Sequence, residues 1–315
     1  MSQISVILCV YNGSNYLNKS VTSVLQQEFQ DFEFLILDNG STDDTWVYLQ
    51  SLKDERIRLY RNEKNSNVFF NLNFLIKESK NSIIKLWSHD DIMYPYCLSD
   101  FVNFHQQHPH IGFSYSERDM IDENGTIKAG CQIDNTPEII SPELHAKIAY
   151  YTGSIAGNIA NVCVNRKALD DVGLFNESMK ISADFDMWVR LAKEHDTGFI
   201  KKKLIQLRDH GGQLSRNEKY FINHVKEDLV VYRYLDSYVE SSVRLEGKNL
   251  MRKHKLVFYY TLMIKALLKG KIAAAFDFYT QLSTYDNFFL LSFSFLKSRL
   301  RRPKTPALFH AKNAF

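Results

Sequence analysis

Three short polar clusters hold the side chains best placed for chemistry: Tyr11-Asn12-Gly13, Asp38-Asn39-Gly40-Ser41 and Ser88-His89-Asp90-Asp91. They close three apolar runs that read as β-strands, Ile4 to Val10, Phe32 to Asp38 and Ile83 to Trp87. A carboxylate at a strand end can accept a hydrogen bond from a base or a ribose, and a neighbouring carboxylate supplies oxygen to a hard divalent cation. Ligands of open α/β sheets collect outside the carboxyl ends of the strands, so the three clusters together suit a metal-bound nucleotide. Taken singly, Asp38 reads as a turn or helix-capping residue, and Asp90 with Asp91 as a cap for the helix after Pro95.

The elements that must position these groups follow from hydrophobic periodicity. A shorter strand is predicted over Ile57 to Tyr60, and a fifth over Ile111 to Ser116. Between the first two strands Leu17, Val21, Val24 and Leu25 fall at helical spacing and make one buried stripe. Ser41 followed by Asp44 resembles a capping box for the next helix, and Pro95 starts a helix running to about His108. Asp122-Glu123-Asn124-Gly125 reads as a turn within a hairpin, and Ser141 to Tyr151 as a helix with Pro in its first position. Asp184 to Glu194 is amphipathic, with Phe185, Trp188, Val189 and Ala192 in one stripe. Strands alternating with helices predict an α/β fold with a mainly parallel sheet; after Arg216 the pattern changes to long helices. This divides the chain into residues 1–215 and 216–315.

Five ordered segments, SVILCVYNGSNYL, FEFLILDNGSTDDT, LWSHDDIMYP, GLFNESMKISADFDMWVRLA and LRDHGGQLS, span about residues 4–215. In them the sequence resembles a family 2 glycosyltransferase of the bacterial surface-polysaccharide type, whose GT-A fold is a Rossmann-like mixed sheet flanked by helices. The resemblance implies that Asp38 contacts the nucleobase and that Tyr11 and Asn12 shape a uridine or thymidine pocket, with Asn62 and Glu63 in the loop flanking the base. Asp90 corresponds to the last Asp of the family's DxD motif, the main protein ligand of Mg2+ or Mn2+ on the pyrophosphate, and Ser88 stands where the first Asp would be. Asp91 is then a secondary acidic group, and His89 a ribose or ligand contact. Asp184 corresponds to the general base of inverting members, with Ala183 replacing the Glu before it, while Asp186 caps the helix or pairs with Arg190. Arg208 and His210 match a late motif in which a His approaches the metal or diphosphate. Gly157 and Asn158 lie where the acceptor side of the cleft begins, or else form a tight turn.

The implied reaction moves a hexose or N-acetylhexosamine from a UDP- or dTDP-sugar to a hydroxyl of a saccharide or lipid-linked saccharide. The setting would be synthesis of lipopolysaccharide, capsule or another surface polysaccharide. Two rivals remain. A sugar nucleotidyltransferase needs a Gly-rich, Arg- and Lys-bearing loop after the first strand, which Tyr11-Asn12-Gly13-Ser14 does not provide. A catalytically silent subunit with the same fold is the other, suggested by Ser88 and Ala183.

With 315 residues, 45% of them hydrophobic and only 6 Pro and 13 Gly, the chain can bury a core and is neither disordered nor collagen-like. Cys9, Cys97, Cys131 and Cys163 lack CxxC spacing, so neither a disulfide framework nor a Cys-rich zinc site is expected. His105, His108 and His110 spell HxxHxH, but Pro109 breaks the register and no carboxylate or Cys accompanies them, so they read as surface histidines. The opening MSQISVILCV has no basic n-region, and no apolar run reaches the roughly 18 residues of a spanning helix. A cytoplasmic protein is expected, either free or peripheral at the inner face of the cytoplasmic membrane. Residues 216–315 hold 18 Lys and Arg against 8 Asp and Glu, so they are basic although the whole chain is only +3. Their helices read as packing on one another; the aromatic and cationic residues of 285–304, with Lys297, Arg299, Arg301, Arg302 and Lys304, also suit an anionic membrane surface. No nucleic-acid recognition motif accompanies these charges.

Overall fold

The centre of the sheet is built from apolar runs buried on both faces, the condition under which strands lose polar alternation and pair in parallel. The computed structural model describes residues 3–128, 135–213 and 217–300. In it β1 (Ile4–Val10) pairs in parallel with β2 (Phe32–Asp38) and with β4 (Ile83–Trp87), and β2 pairs in turn with β3 (Ile57–Arg61). Helices α1 (Leu17–Leu25), α2 (Thr45–Ser51) and α3 (Val68–Glu78) are the crossovers. Val6, Leu8 and Val10 form one core with Leu17, Val21 and Val24 of α1. Each fully buried side chain of this size stabilises the fold by about 1.5–3 kcal/mol.

The chain continues through β5 (Ile92–Met93), α4 (Cys97–Gln107), β6 (Ile111–Ile121), β7 (Ile139–Ile140), α5 (Pro142–Thr152), β8 (Val162–Asn165), α6 (Arg166–Val172), α7 (Ala183–Glu194) and β9 (Asp196–Arg208). Among the described residues the nine strands lie in the order β3-β2-β1-β4-β8-β6-β9-β5, with β7 also paired to β9. The sheet is mixed, because β8 runs antiparallel to both β4 and β6. Among the described residues that follow there are α-helices and no strands: α8 (Phe221–Tyr238), α9 (Ser241–Lys253), α10 (Lys255–Leu268), α11 (Ile272–Tyr285) and α12 (Phe288–Leu300). The described residues divide into two compact units. One is the sheet with its helices, to His145 and again over Ala156–Gln213; the other joins Ala146–Ile155 to the helices from residue 217 on. None of the described helices is long and apolar enough to cross a membrane.

Several expectations need correction. The N-cap of α2 is Asp44, whose side chain makes no capping bond; Asp43 Oδ1 accepts from the Thr45 amide at 3.1 Å and the Ser41 hydroxyl accepts from the Asn12 amide, so Ser41 and Asp44 form no capping box. The helix after Pro95 begins at Cys97. Strand β6 runs on to Ile121, because Glu117 to Ile121 pair with Lys203 to Arg208 of β9 beyond a bulge, and Lys203 bonds Asp119 at 2.6 Å. His105 is buried rather than on the surface, with Nε2 2.9 Å from the Ser114 hydroxyl, and burial pulls its pKa down to about 4. Cys9, Cys97 and Cys163 are free thiols; Cys131, Arg301, Arg302 and Lys304 lie outside the described residues.

Two buried cationic or imidazole groups escaped the sequence reading. Lys85 in β4 is fully buried, donating to the carbonyls of Leu86 at 3.0 Å, Val162 at 3.3 Å and Ala160, and so ties β4 to the segment leading into β8. His145 in α5 is buried edge-on to Phe113. Neither of its ring nitrogens has a hydrogen-bond partner among the described residues. Burial depresses its pKa to about 3. The folded protein therefore keeps His145 neutral while the unfolded chain protonates it below about pH 6.5, and stability is lost as the pH falls from there towards 3. His145→Phe removes that loss. At pH 8 its unfolding free energy should differ from wild type by less than about 1 kcal/mol, whereas at pH 5 it should be higher by about 2 kcal/mol. Urea melts at the two pH values check this, and an equal difference at both would refute it.

Candidate active site

The parallel pairing places the carboxyl ends of four strands on one rim, since Val10 faces Asp38, Asp38 faces Arg61, and Leu8 faces Trp87. The loop after β1 is stitched to the loop after β2. Asn12 donates its amide to Ser41 Oγ at 2.9 Å, its Oδ1 accepts from the Thr42 amide at 2.9 Å, and the amides of Gly13 and Ser14 reach Thr45 Oγ1 and Asp43 Oδ2. These bonds hold Asn12 at φ +50°, a conformation Asn tolerates better than most residues. Tyr11 is 40% exposed at the rim. Gly13 must lack a side chain, because a Cβ there would lie 2.8 Å from the His89 ring and 2.5 Å from Val10.

Asp38 is fully buried. Its Oδ1 accepts from the Ser41 amide at 3.2 Å, and Arg61 Nε stands 3.2 Å from Oδ2 without the alignment of a hydrogen bond. The Arg61 guanidinium also lies 4.8 Å over the Trp46 ring, so it shields the carboxylate from solvent. Beside it runs an amide network: Asn62 Nδ2 donates to Asn39 Oδ1 and Asn71 Oδ1, both at 2.9 Å, and Asn39 Nδ2 donates to Asn65 Oδ1 at 2.8 Å. Asn62 therefore fixes the end of β2 to the loop after β3, whereas Glu63 is exposed. Arg61 and Asn71 were missed in the sequence. The density of Asn from residue 62 to 73 was the available signal.

At the end of β4 the two acids have opposite environments. Ser88 donates its hydroxyl to Asp90 Oδ1, and His210 Nε2 lies 3.0 Å from Asp90 Oδ2. Burial works against ionisation of Asp90, but the His89 charge and the bonds from Ser88 and His210 outweigh it and hold the carboxyl below its usual range. Burial, followed by the Asp90 charge, pushes Asp91 well above that range. Burial likewise lowers His89. Arg208, at the end of β9, is buried beneath them. Its amide donates to Asp91 Oδ1 and its Nε to the Asp90 carbonyl, each at 2.8 Å, while Nη1 reaches the carbonyls of Asp122 and Glu123. Tyr16, unrecognised in the sequence, covers both late residues: its ring lies 4.5 Å from the Arg208 guanidinium and 5.1 Å from the His210 ring.

The remaining candidates sit on other elements. Asp184 is half-buried in the first turn of α7, where its Oδ1 accepts from the Phe185 amide at 2.8 Å. Asp186 pairs with Arg190 at 2.8 Å, which in turn bonds the carbonyls of Val172 and Leu174, while Phe185, Trp188, Val189 and Ala192 are buried. Gly157 has φ +73° with Arg118 Nη2 3.1 Å from where a Cβ would be, and Asn158 caps the turn Ile159–Asn161 through the Ala160 amide. Among the described residues no three His, Cys, Asp or Glu are grouped to hold a metal ion by themselves. Asp90 and His210 offer two donors, which fits a cation that completes its shell with water and substrate phosphates.

A mixed α/β sheet with acidic groups along one rim is the architecture of the GT-A nucleotide-sugar transferases. Staphylococcus aureus TarS, residues 1–349, superposes with a TM-score of 0.65 at 17% identity, over 89% of this chain and 81% of that one, a likeness of fold. The profile of Glycosyl transferase family 2 matches residues 5–169, and the chain belongs to that family. An uncharacterized glycosyltransferase of Rickettsia felis is 28% identical over 231 residues, which are 73% of this chain and 37% of that protein. This chain thus spans well under half of that relative's length. The Escherichia coli UDP-Glc:alpha-D-GlcNAc-diphosphoundecaprenol beta-1,3-glucosyltransferase WfaP is 25% identical over 69% of this chain and 82% of its own.

The buried guanidinium generates a test. Arg208→Met leaves the carbonyls of Asp90, Asp122 and Glu123 without their donor and should destabilise the protein by about 3 kcal/mol. A chemical melt that loses less than about 1 kcal/mol would show that these bonds do not hold the rim together.

Proposed function

We propose that the protein is an inverting, Mg2+- or Mn2+-dependent glycosyltransferase that moves a hexose or N-acetylhexosamine from a UDP- or dTDP-sugar to a hydroxyl of a saccharide or lipid-linked saccharide. The observation that carries the reading is the Asp90 carboxylate, whose Oδ2 lies 3.0 Å from His210 Nε2 on the rim that also bears Asn12, Asp38 and Asn62. Membership of the family supports the transfer chemistry. The activity for which WfaP is named and the structure of TarS with UDP-GlcNAc support a uridine nucleotide donor. WfaP's acceptor supports a lipid-linked saccharide and a place in surface-polysaccharide synthesis.

In this reading Tyr11, Asn12 and Asn62 frame the base, and Asp38 meets it once Arg61 swings off its carboxylate. His89 lies against the ribose or diphosphate, and Gly157 and Asn158 border the acceptor. Asp90 and His210 hold the cation, which when bound neutralises charge on the diphosphate leaving group. Arg208 and Asp91 act beneath, keeping Asp90 in place. Asp184 takes the proton of the acceptor hydroxyl as its oxygen bonds the anomeric carbon and the bond from that carbon to the diphosphate breaks.

A thermal-shift screen of nucleotide-sugars with and without Mn2+ tests the donor, because a ligand that binds only the folded state raises its stability. Wild type should be stabilised by UDP- or dTDP-sugars more with Mn2+ than without. Asp90→Asn should lose the metal-dependent part. Asp184→Asn should keep it while transfer falls by about 10²–10⁴-fold. NMR of the product reports the anomer. Full transfer by both variants would refute the assignment, and nucleotide binding without any transfer or donor hydrolysis would favour the silent subunit.

A further inference from the structure

Helix α12 is apolar on two faces. One packs inward: Leu291 is fully buried, and the rings of Phe288 and Phe295 lie 5.5 and 4.7 Å from that of Tyr260 on α10. The other faces solvent, with Phe289, Phe293, Leu296 and Leu300 exposed by 85%, 66%, 60% and 86%. Their spacing of i, i+4, i+7 and i+11 confines them to a stripe about 60° wide at 100° per residue. At the same pitch Lys297 and Arg299 fall roughly 70 to 90° to either side of its centre, and both are exposed. The helix carries no acidic residue. Helix α11 also exposes apolar side chains, Ile272 and Phe276 at i and i+4, with Tyr279 at i+7 edge-on to Phe288 at 4.8 Å, while Ala275, Phe278 and Leu282 are buried; unlike α12 it carries an exposed acid, Asp277, and no Lys or Arg.

Packing among the helices leaves these stripes unexplained, because each helix already buries a different face. Contiguous exposed aromatic and aliphatic groups mark a surface that meets something else. The flanking charges say what. A two-fold pairing of identical faces would bring Lys297 and Arg299 of one copy up to the cations of the other. The sequence then continues Arg301-Arg302-Pro303-Lys304, cationic again and outside the described residues. The geometry points to an anionic lipid bilayer as the occupant, with α12 lying in the plane of the interface. Phe289, Phe293, Leu296 and Leu300 enter the boundary of headgroups and acyl chains, and Lys297 extends its stem along it to reach lipid phosphates, while Arg299, which donates to Thr261 Oγ1 at 3.3 Å and lies 5.1 Å over the Phe295 ring, adds positive charge on the other flank. The inference rests on the helical unit alone and stands whether or not the proposed sugar transfer does.

Sedimentation of the full-length protein with vesicles tests it without any measurement of activity. Vesicles of phosphatidylcholine containing about one third phosphatidylglycerol should bind the protein much more tightly than phosphatidylcholine alone, and added salt should weaken the binding. Lys297→Ala with Arg299→Ala should weaken it about fivefold per cation. Phe289→Ser with Phe293→Ser should weaken it on the order of 100-fold. Both pairs are exposed, and an unchanged melting temperature confirms that each variant is folded. Absence of vesicle binding in wild type would overturn the inference, as would binding indifferent to lipid charge or to loss of the two Phe. A dimer without vesicle binding that dissociates in the Phe variant would also overturn it, by assigning the face to a second copy.

Discussion

The rim at the end of β4 depends on one buried cation. Arg208 ends β9, donates its amide to Asp91 and aims its guanidinium at the carbonyls of Asp90, Asp122 and Glu123 beneath the Tyr16 ring. An unpaired guanidinium in such a place would cost several kcal/mol, and the three carbonyls with the adjacent carboxyls offset much of it. The geometry that results separates two neighbouring acids. Asp91 is held under the surface, its Oδ2 without a hydrogen-bond partner among the described residues, and burial with the nearby Asp90 charge favours its neutral form. Asp90 keeps its charge, because His89, Ser88 and His210 all stabilise the ionised form. Two carboxyls at one strand end thus differ in charge, the one held ionised and the other biased to its neutral form.

The same economy governs the loop after β1. Holding a non-glycine residue at φ +50° costs on the order of 1 kcal/mol, and the bonds from Asn12, Gly13 and Ser14 to the loop after β2 maintain it. Because Gly13 admits the His89 ring, the β1 loop is fixed against β4 on its other side. Trp87 Nε1 and the Ser88 carbonyl, meeting on the Ser20 hydroxyl of α1, complete that attachment. The rim is therefore a set of short loops braced by each other, and its rigidity does not rely on any one of them.

What could be read in the sequence follows from where each signal is stored. Strands β1, β2 and β4 were located with their observed ends because burial on both faces leaves a continuous apolar run. Strand β9 and the second half of β6 were not, because Lys201, Lys202 and Lys203 on one and Ser116 to Asp119 on the other look like loop until their cross-strand pairing is known. The strand-end clusters are contiguous in sequence and so were legible. Arg208 and His210 were named through the family resemblance, but the atoms they meet, 118 and 120 residues away at Asp90, were not legible. Tyr16, Arg61 and Asn71 were not named, and the bonds that join Asn39 and Asn62 to Asn71 were not foreseen, since each is defined only by what the fold brings to it. Gly157 and Asn158 illustrate the converse, residues whose types announce a turn and whose geometry supplies one.

The helical unit distributes polarity against the usual pattern. Inside it, the buried Asp228 receives Lys255 and Tyr259 at 2.6 Å each, and although burial opposes its charge, Lys255 and His224 hold its carboxyl far below the ordinary range. Asp286 takes a two-pronged contact from Arg252, and α9 approaches α5 so closely that Gly247 leaves no room for a Cβ beside Tyr150. These are directional contacts, and they set the register of helices that also bury Tyr232, Tyr259, Phe278 and Leu282 around them. The interior is therefore already filled with aromatic and aliphatic groups, and Phe276, Phe289 and Phe293 on the outer faces of α11 and α12 are surplus to it, which is why their exposure calls for an explanation outside the packing of the unit.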